Sequence, residues 1–199
     1  MTHAPLPEAC AAVWRDAGLG EFRLRRLTPS DLDAVAQALA LGEGYTRTGA
    51  APQTAQEIRS DLAGFGTVDG KEGLVVMRAS DAPPLAFVLY LVRNKRTEAF
   101  TAGNILDRLP LEAFPADGRF LQIYDLWVDP SIRRRGVARA LKRMLETEAA
   151  SRQVRMIYTV TEARHRAVLE LNATIGYVEL YRGPMCDAVE RVALARYLI

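Results

Sequence analysis

The chain has 199 residues, 49% of them apolar and 25% charged, with a formal net charge of +2. That length suits one well-buried domain with added segments, and the near-balanced charge argues against a wholesale nucleic-acid-binding surface. Two cysteines and two histidines build neither a disulfide framework nor a metal-ligand cluster. No run of about 18 apolar residues marks a membrane-spanning helix. The start, Met1-Thr2-His3-Ala4-Pro5, lacks the basic region and apolar core of a secretory signal. A cytoplasmic location is therefore expected, with Cys10 and Cys186 as free thiols.

The pattern predicts a helix over residues 7–17, with Pro7 in its first turn and Ala9, Ala12, Val13 and Trp14 on an apolar face. Gly18 and Gly20 end it. Residues 21–27 alternate Phe22 and Leu24 with arginines before Leu27, a half-buried strand. Thr28-Pro29-Ser30-Asp31 starts a helix whose stripe is Leu32, Val35, Ala36 and Leu39. A turn-rich stretch, Gly42 to Pro52, precedes a helix capped by Thr54 and running through Ile58, Leu62 and Phe65. Two apolar strands follow, 74–77 and 85–92, joined by Asp81-Ala82-Pro83-Pro84. Residues 94–118 have mixed pattern and two prolines, with a short helix expected around Ile105 to Leu109. That stretch reads either as a functional loop or as surface decoration.

A strand over 120–128 leads into a helix over 137–151, with Val137, Leu141, Met144, Leu145 and Ala149 near one face. A β-branched and aromatic strand is expected over 154–160. The next helix, 165–175, has Val168, Leu171 and Ile175 inward and stops at Gly176. Two final strands close the chain, 177–181 and 189–198, although the last segment also fits a helix.

Between the strand ending at Val128 and the helix starting at Val137 lies Arg133-Arg134-Arg135-Gly136-Val137-Ala138. A helix N-terminus already carries partial positive charge, and Arg133, Arg134, Arg135 and Arg139 add to it. Such stacking is unfavourable unless an anion sits there. Gly136 and Ala138 let backbone N–H groups approach that anion closely. The segment reads as a phosphate or pyrophosphate cradle; the alternative is a solvated arginine-rich loop, which leaves the Gly and Ala spacing unexplained.

The order strand, Arg-x-x-Gly-x-Ala, helix resembles the acetyl-CoA motif of the GCN5-related N-acetyltransferase (GNAT) family, Gln/Arg-x-x-Gly-x-Gly/Ala. Upstream, Ile123-Tyr124-Asp125-Leu126-Trp127-Val128-Asp129-Pro130 looks like that family's fourth strand. Downstream, Asn172-Ala173-Thr174-Ile175-Gly176-Tyr177 looks like its helix-to-strand corner. The resemblance covers the C-terminal third to half of the chain. It implies an α/β (α+β) fold, a mixed and mostly antiparallel sheet flanked by helices with a V-shaped splay between the fourth and fifth strands. The whole chain, 1–199, would be one such domain, with a helical extension over about 1–20. Residues 94–118 would be an insertion, since the family often has a tight turn there.

The resemblance implies acetyl-CoA as co-substrate, without metal. Backbone N–H groups from Arg134 through Arg135, Gly136 and Val137 to Ala138 would hold the pyrophosphate, with Arg133, Arg134 and Arg139 as charge partners. The backbone of Leu126, Trp127 and Val128 would lie beside the pantetheine arm, one N–H polarising the acetyl carbonyl if the family's strand bulge is present. In a regular strand Asp125 shares a face with Leu121, Ile123 and Trp127, where desolvation would raise its pKa toward a base's range. It reads as base or amine ligand, or as an Asp paired to an arginine for structure. Glu162, at the end of the fifth strand, is the second candidate base. Tyr124 lines the acceptor site or belongs to the core. Counting back from Gly176 puts Asn172 where the family commonly has tyrosine and His165 where it has asparagine. An amide hydrogen-bonds to a thiolate but cannot protonate it. Water, Tyr158, Tyr177 or Tyr181 would then serve as acid, while His165 reads as a CoA contact or a solvated cap.

The expectation is therefore an N-acetyltransferase acting on a primary amine, of a small molecule first and of a peptide or protein second. A non-catalytic acyl-CoA-binding module, or a binder of another phosphorylated ligand, is the rival. No nucleic acid or membrane partner is expected, and a homodimer is left open.

Overall fold

The computed structural model describes residues 6–41, 53–78, 83–100, 103–184 and 187–199. The turn-rich stretch 42–52, Asp81, Ala82 and Cys186 lie outside the described residues. The elements fall in the expected order: α1 (Glu8–Asp16), β1 (Arg23–Arg26), α2 (Leu32–Leu41), α3 (Ala55–Asp61), β2 (Lys71–Met77), β3 (Ala86–Asn94), α4 (Ile105–Arg108), β4 (Arg119–Val128), α5 (Val137–Ser151), β5 (Met156–Glu162), α6 (Arg166–Thr174), β6 (Val178–Pro184) and β7 (Glu190–Tyr197). The strands are hydrogen-bonded in the order β1-β2-β3-β4-β5-β7-β6. The ambiguous last segment is thus a strand, inserted between β5 and β6. Its run of buried residues from Arg191 to Ala195 is what a central strand covered on both faces requires.

Two compact units divide the chain. The first comprises Met1–Thr46, Ala50–Leu91 and Tyr124–Thr147. Here β1, β2 and β3 pair antiparallel, Arg25 opposite Val75 and Val75 opposite Phe87. Side chains alternate along a strand, so Val75, Met77, Phe87 and Leu89 share one face. They pack under Leu32, Val35, Ala36 and Leu39 of α2 and Ile58 of α3. Local chemistry starts both helices. The Asp31 carboxylate accepts from the Thr28 N–H at 2.7 Å and takes a two-pronged ion pair from Arg25. Burial pushes the Asp31 carboxyl up, but these bonds outweigh it and hold it below its ordinary value. At α3, Thr54 and Glu57 exchange hydrogen bonds in a capping box. That helix stops at Asp61, short of the expected Phe65; Leu62 and Phe65 still reach the core from the following turns.

The second unit comprises Arg47–Gly49, Val92–Ile123 and Glu148–Ile199. Its sheet begins with a parallel ladder, Leu121 opposite Ile157 and Gln122 opposite Tyr158, and ends there, while β4 continues to Val128. This two-residue ladder is the parallel pair of the fourth and fifth strands. Residues 94–118 are not loose decoration. Ile105, Leu106, Leu109 and Phe114 cover Phe120, Met156, Tyr158, Ala193 and Ala195. Lys95 donates to the Leu106 carbonyl, Tyr197 Oη to the Ala113 carbonyl at 2.8 Å, and Arg108 to both Tyr181 Oη and the Pro184 carbonyl. The Tyr158 hydroxyl beneath this cover is buried without a partner, and burial pushes its pKa up.

One helix departs from expectation. On α6, Val168 is 40% exposed, Leu171 is half-buried, and Asn172 is fully buried with Ile175. The inward stripe is therefore set by Asn172, one turn past Val168.

Candidate active site

The arginine-rich turn lies wholly within the first unit, on the path from β4 to α5. Asp129 ends the strand: its N–H donates to the Leu85 carbonyl at 2.8 Å and its carboxylate caps the turn Pro130–Ile132 by accepting from Ser131. Those Ser131 hydrogen bonds hold the Asp129 carboxyl below its ordinary value. Ile132, fully buried, anchors the turn. The chain then takes two left-handed conformations, Arg134 at φ 61° and Gly136 at φ 85°. Gly136 is there for the backbone angle and for access, since a Cβ built on it meets nothing within 4 Å. Helix α5 follows with no acidic residue in its first turn. Its leading N–H groups have no intrahelical carbonyl to bind, and Val137 packs inward while Arg139 is exposed. An open, electropositive turn with no internal carboxylate on the first turn fits a diphosphate.

The arginines divide into roles. Arg133 Nε donates to the Val128 carbonyl at 3.0 Å. Arg135 forms an ion pair with Glu21, and its guanidinium lies 5.1 Å from the centre of the Phe22 ring. Arg134 has no ion-pair partner among the described residues. Sequence reasoning placed Glu21 and Phe22 in a strand and missed this contact. The partners are 114 positions apart, and no local pattern marks them.

The strand itself carries the second feature. Tyr124 packs against Phe65 at 5.1 Å between ring centres, and Trp127 stacks on Phe87 at 5.5 Å, both against the same core. Residues three apart cannot share a face in a regular two-residue repeat. Both side chains nevertheless reach the same core from one strand. From Tyr124 to Val128 every residue is half-buried. Tyr124 is half-buried against this core.

Glu162, His165 and Asn172 belong to the second unit. Glu162 closes β5, and its carboxylate takes an ion pair from Arg164 at 2.5 Å. His165 is exposed at the start of α6 and makes no side-chain cap. Asn172 is the unusual one. It is 0% exposed, and neither its amide oxygen nor its amide nitrogen has a partner. An unpaired buried polar group costs about 1–3 kcal/mol. Asn172→Leu is therefore expected to raise the melting temperature. If the amide serves the reaction, the same variant lowers turnover; thermal melts and steady-state rates on one preparation check both.

Among the described residues, no group of three or more His, Cys, Asp or Glu is placed to hold a metal. No helix among them is long and apolar enough to cross a membrane.

The family model for the acetyltransferase (GNAT) family matches residues 56–177. No curated protein matches the chain by sequence. Solved structures share its fold at low identity. Arabidopsis thaliana NAA60 in complex with a bisubstrate analogue is 14% identical, with a TM-score of 0.65, over 89% of this chain and 98% of that one. The ribosomal-protein-S18-alanine N-acetyltransferase of Escherichia coli is 16% identical, with a TM-score of 0.59, over 89% and 94%. A putative phosphinothricin N-acetyltransferase is 17% identical, with a TM-score of 0.61, over 89% and 99%. With a cradle of this form between β4 and α5 and a family match over more than half its length, the chain belongs to the GNAT family of acetyl-CoA-dependent N-acetyltransferases.

Proposed function

We propose that this chain, as a single GNAT domain over residues 1–199, moves the acetyl group of acetyl-CoA directly to a primary amine of a small molecule. The observation that carries the co-substrate is the open left-handed turn at Gly136 leading into a helix without a first-turn carboxylate. Backbone N–H groups from Arg134 to Ala138 hold the pyrophosphate, with Arg134 and Arg139 supplying charge. The stretch Leu126–Val128 turns a main-chain N–H toward the acetyl carbonyl, which stabilises the oxyanion that forms on attack. Asp125, on the same stretch, takes the amine proton or holds the amine. Asn172 donates a hydrogen bond to the departing sulfur, and water then protonates the thiolate. The unsatisfied amide of Asn172 supports this role, because a buried donor with no internal partner is one that a bound group can satisfy.

A peptide or protein N-terminus or lysine is the second reading. It is favoured by similarity in fold to the ribosomal-protein-S18-alanine N-acetyltransferase and to the NatC complex bound to Gag peptide. Thiol release from acetyl-CoA over a panel of small primary amines and short peptides separates the two. Turnover with small amines and silence with peptides is the expected result; the reverse assigns a peptide acceptor. A cytoplasmic location belongs to the same proposal.

A further inference from the structure

We propose that Glu21 and Phe22 are positioning residues for the acyl-CoA turn: they draw Arg135 aside and hold the left-handed Arg134 in its binding shape before the co-substrate arrives. This rests on the reading of the turn as an acyl-CoA cradle. A non-glycine residue in the left-handed region persists only where its surroundings over-determine it. Arg134, at φ 61°, is tied on both sides. Before it, Arg133 Nε is bonded to the Val128 carbonyl. After it, Arg135 is bonded to Glu21 and lies over Phe22.

The far end of that second tie is itself fixed. Phe22 is 2% exposed, its N–H donates to the Leu19 carbonyl at 3.0 Å, and its carbonyl accepts from Trp14 Nε1 at 3.1 Å. Trp14 and Cys10 bury the inner face of α1. The N-terminal extension thus ends in a rigid platform carrying one carboxylate and one aromatic face, both used by Arg135. The pair also removes one of four like charges from a helix N-terminus, where they repel one another when no anion is bound. With Arg135 held away, the backbone N–H groups and the Arg134 guanidinium are left to the anion. Arg135 and Glu21 are each close to half exposed, so their pairing contributes little to folding; its effect falls on preorganisation of the turn.

The test is calorimetric titration of the full chain with coenzyme A, for the wild type, Glu21→Ala, Glu21→Asp, Arg135→Ala and the double alanine variant, with ligand-free melting curves alongside. Glu21→Ala should raise Kd about three- to fivefold, the range open to an exposed ion pair. Arg135→Ala should do the same, and the double variant should be no weaker than either single one. Glu21→Asp, which keeps the charge, should recover most of the affinity. Ligand-free melting temperatures should stay together, which separates positioning from a general loss of stability. Unchanged affinity in Glu21→Ala overturns the proposal. So does tighter binding, which would make Glu21 a mask over a phosphate-binding Arg135. A far larger loss in Arg135→Ala than in Glu21→Ala also overturns it, by making Arg135 a direct ligand. If the wild type does not bind coenzyme A at all, the acyl-CoA reading itself falls and this proposal falls with it.

Discussion

Gly136→Glu is expected to abolish acetyl-CoA binding while leaving the chain folded. The position sits at φ 85°, and a Cβ there meets no atom within 4 Å. The substitution therefore creates no clash in the ligand-free protein; its folding cost is the left-handed backbone, about 1–2 kcal/mol for an L-residue. Its binding cost is far larger. The new side chain occupies the space through which the pyrophosphate approaches, and its carboxylate takes the helix N-terminus that the anion would use. Gly136→Ala separates the two effects: it carries the same backbone strain without the charge, and it should bind measurably and more weakly than the wild type. Calorimetry on both variants, with circular dichroism to confirm folding, checks the expectation. A folded Gly136→Glu variant with wild-type affinity would remove the pyrophosphate from this turn.

The second large effect is expected at Asp125. Asp125→Asn should lower kcat by about 10²–10⁴-fold, the contribution of a positioned general base, and leave the Kd for acetyl-CoA nearly unchanged. The sign of the pH dependence follows from the role. A carboxylate base works only when deprotonated, so the wild-type rate rises with pH through its pKa. The amide has no such transition, and the acidic limb of the profile should vanish. Asp125 is half-buried on β4, a position that limits its solvation. A wild-type rate and profile in Asp125→Asn would return Asp125 to a structural part. Glu162, already paired with Arg164, would then have to give up that partner to serve.

The turn from β4 into α5 was legible in the sequence because its determinants are local. Six consecutive residues, Arg133 to Ala138, fix a turn, a charge and a helix start, and α5 then runs over residues 137–151 as its apolar spacing requires. The capped helix starts at Thr28-Asp31 and Thr54-Glu57 were legible for the same reason, since each cap is made within four residues. What the sequence hid depends on distance or on packing. The Glu21–Arg135 pair joins residues far apart in the chain. On α6, Val168 looked like a core residue by type, yet it is exposed while Asn172 is buried, an outcome that hydrophobicity alone cannot reveal. Residues 94–118 carry too mixed a pattern to show that Ile105, Leu106 and Phe114 complete a core.

The most direct test of the account is to incubate the purified chain with acetyl-CoA and a panel of primary amines, following free thiol and the acetylated product by mass spectrometry. The expected result is release of one thiol for each N-acetylated amine formed, lost in Gly136→Glu. Acetyl-CoA that binds the wild-type chain but is never consumed with any amine would contradict direct transfer and leave a protein that only holds its ligand.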